Sequence, residues 1–196
     1  NRPSLSKISL EAGEMRAYFF HMVSAILLTS SVVSAQSSTD NQTGIKSASR
    51  VGVKTDWSVF VETNPQECWA VAEPKKTVNT KDKRVVSVNR SEILLMVSYR
   101  PALKVQGQVA FTGGYSFAEN STVDLNIDGT KFQLIPDGEW AWPQSTDADF
   151  AVVAAMKRGK LAVLSARSSR GTTTKDTFSL RGFTAAVDDV AKRCSK

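Results

Sequence analysis

Histidine is nearly missing from this sequence: of 196 residues the single one is His21, and it falls in an N-terminal apolar stretch. Everything downstream must therefore work without an imidazole, which removes Ser-His triads, Cys-His dyads, HExxH zinc sites and histidine general bases. Cysteine is almost as scarce. Cys68 and Cys194 are the only two, with no CxxC spacing, so metal and redox motifs are not indicated. No GxGxxG or GxxxxGK[ST] pattern occurs; Gly113-Gly114 is a two-glycine bend rather than a phosphate loop, and no cofactor is implied. Long apolar runs are absent after residue 35, where the richest stretch, Ile93–Val97, has the length of a strand rather than of a membrane span.

What is present is globular in character. Hydrophobic residues make up 41% and charged residues 22%, enough apolar side chains for one core in a chain of this length. The net charge of +6 favours anionic surroundings, but the basic residues are spread along the chain, which a soluble basic protein also shows.

The N-terminus reads as a removable leader. Residues 1–14 are polar and unpatterned and read as upstream, non-native or mis-started sequence. From Met15, Arg16 supplies a short positive region, Ala17–Leu28 an apolar core, and Val33-Ser34-Ala35 a small-x-small cleavage site. An uncleaved anchor is the competing reading, opposed by the Ser and Thr crowded after Leu28. Cleavage near Ala35 predicts a periplasmic, secreted or outer-membrane-associated protein with no transmembrane segment. In that oxidising compartment Cys68 and Cys194 are expected to form a structural disulfide. Residues 36–50, rich in Ser, Thr and Asn, read as a flexible spacer before a domain over 51–196.

Within that domain the period is mostly two. Strands are expected at Asp56–Val61, Cys68–Ala72, Arg84–Val88 (a short edge), Ile93–Tyr99 and Gln106–Phe111. A basic polar loop is expected between Pro74 and Lys83. Alternating runs on either side of Asp128-Gly129 predict a type I′ hairpin from Val123 to Ile135. A helix over Phe150–Lys157, capped by Asp147 or Asp149 and stopped by Gly159, precedes strands at Leu161–Ser165 and Asp176–Leu180. Phe183–Arg193 reads as a C-terminal helix that delivers Cys194. Many short strands and two short helices predict a mainly β, sandwich-like antiparallel domain.

Few residues carry chemistry. Asp137, Glu139, Asp147 and Asp149 cluster in sequence, and paired carboxylates run glycoside hydrolysis, although Asp137 also reads as turn chemistry before Gly138 and Asp147 or Asp149 as a helix cap. Trp140 and Trp142 share one face of a strand, where they either close the core or stack on sugar rings. Trp57 and Trp69 read as core or rim. Lys75, Lys76, Lys81, Lys83, Arg84 and Arg90 form a basic stretch without interleaved aromatics, which disfavours single-stranded nucleic acid. The hydroxyl- and arginine-rich Ser165–Gly182 segment reads as a polar edge strand turning at Gly171; with Lys75 and Lys76, its Arg167 and Arg170 are candidates for a polar or anionic-ligand surface. Asn41, Asn89 and Asn120 lie in N-x-[ST] sequons, relevant only in a eukaryotic secretory pathway.

One resemblance emerges from these residues. The Trp-containing first strand, Cys68, Ala141-Trp142, Ala155-Met156-Lys157-Arg158-Gly159, Ser169-Arg170-Gly171-Thr172, Asp176–Leu180 and Gly182–Ala186 closing on Cys194 resemble the invasion-associated locus B family of proteobacterial exported proteins. The resemblance spans Trp57 to Cys194, and its C-terminal part is the most specific. It implies a small periplasmic or envelope-associated protein with no attached enzyme activity, cofactor or catalytic residue. The expected function is thus non-enzymatic binding to an envelope glycan, lipid or protein. A carboxylate-dependent glycan hydrolase and a structural or chaperone-like accessory are the alternatives.

Overall fold

The computed structural model describes residues 48–195. The segments read as leader and cleavage site, and most of the one read as spacer, lie outside them. Twelve strands run in chain order as β1 (Ser49–Lys54), β2 (Trp57–Thr63), β3 (Gln66–Ala72), β4 (Lys76–Lys81), β5 (Arg84–Val85), β6 (Leu94–Arg100), β7 (Val105–Thr112), β8 (Val123–Ile127), β9 (Thr130–Asp137), β10 (Trp140–Pro143), β11 (Leu161–Arg167) and β12 (Thr173–Ser179). Helix α1 (Thr146–Arg158) separates β10 from β11, and α2 (Phe183–Arg193) follows β12. All strand pairs are antiparallel, in one ladder ordered β1-β2-β3-β6-β7-β10-β9-β8-β11-β12-β4-β5. The mainly β, two-helix architecture is therefore as expected.

The ladder folds back over itself. Five strand spacings separate β7 from β12, about 24 Å on a flat sheet, yet the Phe111 and Phe178 rings meet at 6.2 Å. The Trp57 indole on β2 donates to the Ser179 carbonyl of β12 at 3.0 Å, and the Asp56 amide to the Arg181 carbonyl at 3.3 Å. The inward faces of the two halves so enclose one core, in which Trp57, Phe111, Phe178 and Phe183 are completely buried. Each such side chain contributes on the order of 2–3 kcal/mol of burial free energy.

Local chemistry explains the best-read elements. Asp128 and Gly129 have φ of 46° and 99°, as a type I′ turn requires, and β8 and β9 pair outward from them. Helix α1 begins earlier than expected because Ser145, rather than either aspartate, caps it by accepting from the Ala148 amide at 3.2 Å. Gly159 stops it, its amide reaching the Ala155 and Met156 carbonyls. Helix α2 spans the expected residues, and Phe183 at its start packs edge-on to Trp57 at 4.7 Å. Cys194 then meets Cys68 with a Cα–Cα separation of 6.0 Å. Lys157 of α1 pairs with Asp188 of α2 at 2.7 Å. Lys75 and the Ser179 hydroxyl hold the Asp56 carboxyl below its ordinary pKa, as Arg193 and Lys54 do for Asp189.

Three assignments differ. β1 precedes the expected first strand and starts inside the segment read as spacer; its Val51 and Val53 stay exposed, so burial imposes no alternation on it. The basic segment expected as a loop contains β4, whose backbone pairs with β12 from Lys76 to Thr80. That pairing makes β12 an interior strand, not an edge, although Gly171 does turn the β11–β12 hairpin with φ of 82°.

Gly182 explains the glycine of the C-terminal motif. With φ of 87° it caps α2 where the chain passes the Lys54 carbonyl, and a Cβ there would overlap that oxygen. Gly182→Ala is expected to lose about 2–4 kcal/mol of stability, read from denaturant unfolding. A loss under about 1 kcal/mol would show that this contact is not tight.

Candidate functional site

Trp140 and Trp142 do not join the core. On β10 the inward positions are Ala141 and Pro143, both buried, while the two indoles are half-buried on the opposite face. Trp140 pairs with Thr112 of β7, which pairs in turn with Leu94 of β6, so one cross-strand row runs Trp140–Thr112–Leu94. Leu94 is also part of the wall of an open groove of about 550 Å³, shared with Glu73, Arg90, Glu92 and Ile93. The indole face thus runs toward a groove with two carboxylates and an apolar floor. Trp69, expected as core or rim, is buried and stacks on Phe60 at 5.6 Å on this same side of the sheet.

The clustered carboxylates fall in three places. Asp137 and Glu139 are exposed around the β9–β10 turn, and Asp147 is exposed at the start of α1. Roughly 10 Å of β10 lies between those two positions, beyond the separation at which paired carboxylates cleave a glycosidic bond. Asp149 is buried with a structural duty, its Oδ1 accepting from the Val109 amide at 3.0 Å. Among the described residues no group of three His, Cys, Asp or Glu side chains is placed to hold a metal ion.

The basic candidates separate. Lys75 is tied to Asp56 at 2.7 Å, whereas Lys76 on β4, Arg167 on β11 and Arg170 in the following turn are exposed. Arg90 leaves the set altogether. Its guanidinium is buried and forks onto both oxygens of fully buried Asp176 at 2.8 and 2.6 Å, with further bonds to the Gly113 carbonyl and Asn79. It also lies 5.0 Å from the Tyr115 ring centre, and the Tyr115 hydroxyl meets Thr174. Burial raises the Tyr115 phenol above its ordinary pKa.

That network escaped the sequence because the partners that bond the Arg90 guanidinium lie 11 to 86 positions from it. One local trace existed: Gly113-Gly114, where a Cβ on Gly114 would sit 2.6 Å from the Ser91 carbonyl oxygen. The glycines let the Arg90–Ser91 backbone approach and position the guanidinium. A second buried cation, Arg100 on β6, donates to Gln108, and burial lowers its pKa.

Among the described residues no helix is long and apolar enough to cross a membrane. No curated protein matches the chain. A solved structure described as invasion associated protein b from Bartonella henselae is similar to it, with 18% identity, a TM-score of 0.48, and coverage of 74% of this chain and 98% of that one. The model of the invasion associated locus B (IalB) protein family matches residues 57–191, from β2 into the last turn of α2, and the chain belongs to that family.

Proposed function

We propose that this protein is a non-enzymatic binding protein of the bacterial envelope, acting in the periplasm after loss of its leader, and that Trp140 and Trp142 form its ligand platform. The observation that carries the reading is the placement of both indoles, half-buried, on the outer face of β10, with Trp140 in the cross-strand row that reaches Leu94 in the wall of the Glu73–Glu92 groove. Indole rings stack on the apolar faces of sugars, and nearby carboxylates accept hydrogen bonds from sugar hydroxyls. The leader and the Cys68–Cys194 bridge support an oxidising, extracytoplasmic setting. The distance of Asp147 from the Asp137–Glu139 turn and the burial of Asp149 against the Val109 amide favour binding over hydrolysis.

The test is titration of the protein with peptidoglycan-derived and other envelope oligosaccharides, followed by tryptophan fluorescence and calorimetry. Trp140→Ala combined with Trp142→Ala is expected to weaken binding about 10-fold or more, equivalent to about 1.4 kcal/mol, with near-ultraviolet circular dichroism showing an intact core. Unaltered affinity in the double variant would sink the platform. Release of cleaved sugars by the purified protein would overturn the non-enzymatic reading.

A further inference from the structure

A second surface, sharing no residue with the indole platform, is assembled by strand register alone. On the outward face of β11, β12 and β4, Arg167 pairs with Thr173, Ser165 with Lys175, and Thr177 with Lys76. Lys175 is therefore diagonal to Arg167 on one side and to Lys76 on the other. Diagonal neighbours on a sheet stand about 7–8 Å apart, so the three cations form a line of roughly 15 Å. Arg170 lies beyond Arg167 in the hairpin turn. All four are exposed, and none has an ion-pair partner among the described residues.

The surroundings of this line are selective. Ser165, Thr173, Thr177 and Thr80 flank it with hydroxyls on the same face, and Val78 and Val163 complete the rows opposite Lys175 and Thr177. The acid of this region, Asp176, points inward to Arg90 and cannot neutralise it. Asp124 of β8, opposite Ser165, is the carboxylate among the strand residues of this face. The grooves at Glu73–Leu94 and between α1 and the β8–β9 hairpin both lie elsewhere.

We infer that this face binds a linear anionic glycan laid along the Arg167–Lys175–Lys76 diagonal. Cations in a line match charges repeated along a chain, and the interleaved hydroxyls match the hydroxyls of a sugar polymer. A lipid surface would require neither the line nor the hydroxyls.

The probe is a sulfated glycosaminoglycan octasaccharide titrated calorimetrically at low and high salt, with neutral maltooctaose, inorganic phosphate and phosphatidylglycerol vesicles as parallel arms. The octasaccharide is expected to bind, more weakly as salt rises, while maltooctaose and phosphate do not. Exposed ion pairs are each worth up to a factor of about five, so the combined Arg167→Gln, Lys175→Gln and Lys76→Gln variant should bind about 10- to 100-fold more weakly. A control with the same change in charge, Lys104→Gln, Arg158→Gln and Lys192→Gln, should stay within about twofold of the parent. Four results would overturn the inference: no octasaccharide binding, an unaffected face variant, equal loss in the control, or capture of the vesicles in preference to the octasaccharide. Because all the substituted side chains are exposed, the unfolding midpoints of both variants should match the parent, which keeps a binding loss interpretable.

Discussion

Asp176→Asn is expected to destabilise the domain by about 3–5 kcal/mol, a large part of the total stability of a domain this size. The reason is the position of its partner. Arg90 is 6% exposed and Asp176 is fully buried, so removing the carboxylate leaves a guanidinium with nowhere to be solvated. Two of the four hydrogen bonds that Arg90 makes go to Asp176, and the others, to Gly113 and Asn79, carry no full charge. Arg90→Met is expected to cost a similar amount by stranding the acid. The double variant, Arg90→Met with Asp176→Leu, should cost much less than the two single changes together, since a buried pair and an apolar pair of similar volume are often close in stability. Urea unfolding of the four proteins gives the coupling directly. Single-variant losses below about 1 kcal/mol would mean that water reaches this pair.

The same logic gives Asp176 its place in the family motif. It lies midway along β12, next to β4 on one side and β11 on the other, and Arg90 ties the strand to the Gly113–Gly114 bend after β7. The pair thus spans the interior between the two halves of the folded-over ladder. It acts as a structural tie, and its loss should lower ligand binding only as far as it unfolds the protein.

Breaking the Cys68–Cys194 bond should have an effect of comparable size. The bridge closes a separation of 126 residues, for which the chain-entropy estimate is about 4–5 kcal/mol, an upper figure. At about 2–4 °C per kcal/mol, Cys68→Ala with Cys194→Ala should lower Tm by roughly 8–20 °C. Helix α2 should remain docked below that temperature, because Phe183, Ala186, Val187 and Val190 are buried independently of the bridge. Both cysteines are buried, at 0% and 5% exposure, so reductant added to the native protein should act slowly and faster as the temperature approaches Tm. Differential scanning calorimetry of the oxidised, reduced-and-alkylated and double-alanine forms measures this. An unchanged Tm would show that the unfolded chain gains nothing from losing the crosslink.

Much of this protein was legible from local sequence. The Asp128-Gly129 hairpin, the stop of α1 at Gly159, the extent of α2 and the period-two strands are each set by a few adjacent residues, through turn dihedrals, caps and alternation. The cysteine pair needed only a count of two and the expectation of export, and the family showed in a short C-terminal motif. Ser145 was missed as a cap because two aspartates nearby offered the same chemistry.

What only the tertiary structure decided is which strand lies beside which. β4 looked like a loop because its side chains are polar, and its backbone becomes a strand only when β12 supplies the partner. Trp140 and Trp142 could face either way until Ala141 and Pro143 took the inward positions. Arg90 was one of several basic residues until the ladder folded over and set it against Asp176. The line of Arg167, Lys175 and Lys76 exists in no local segment, since its members are brought together by two strand registers. Hydrogen bonding between strands is blind to sequence distance, whereas periodicity, caps and turns act over a few residues; the elements could therefore be read from the chain, and the surfaces they build together could not.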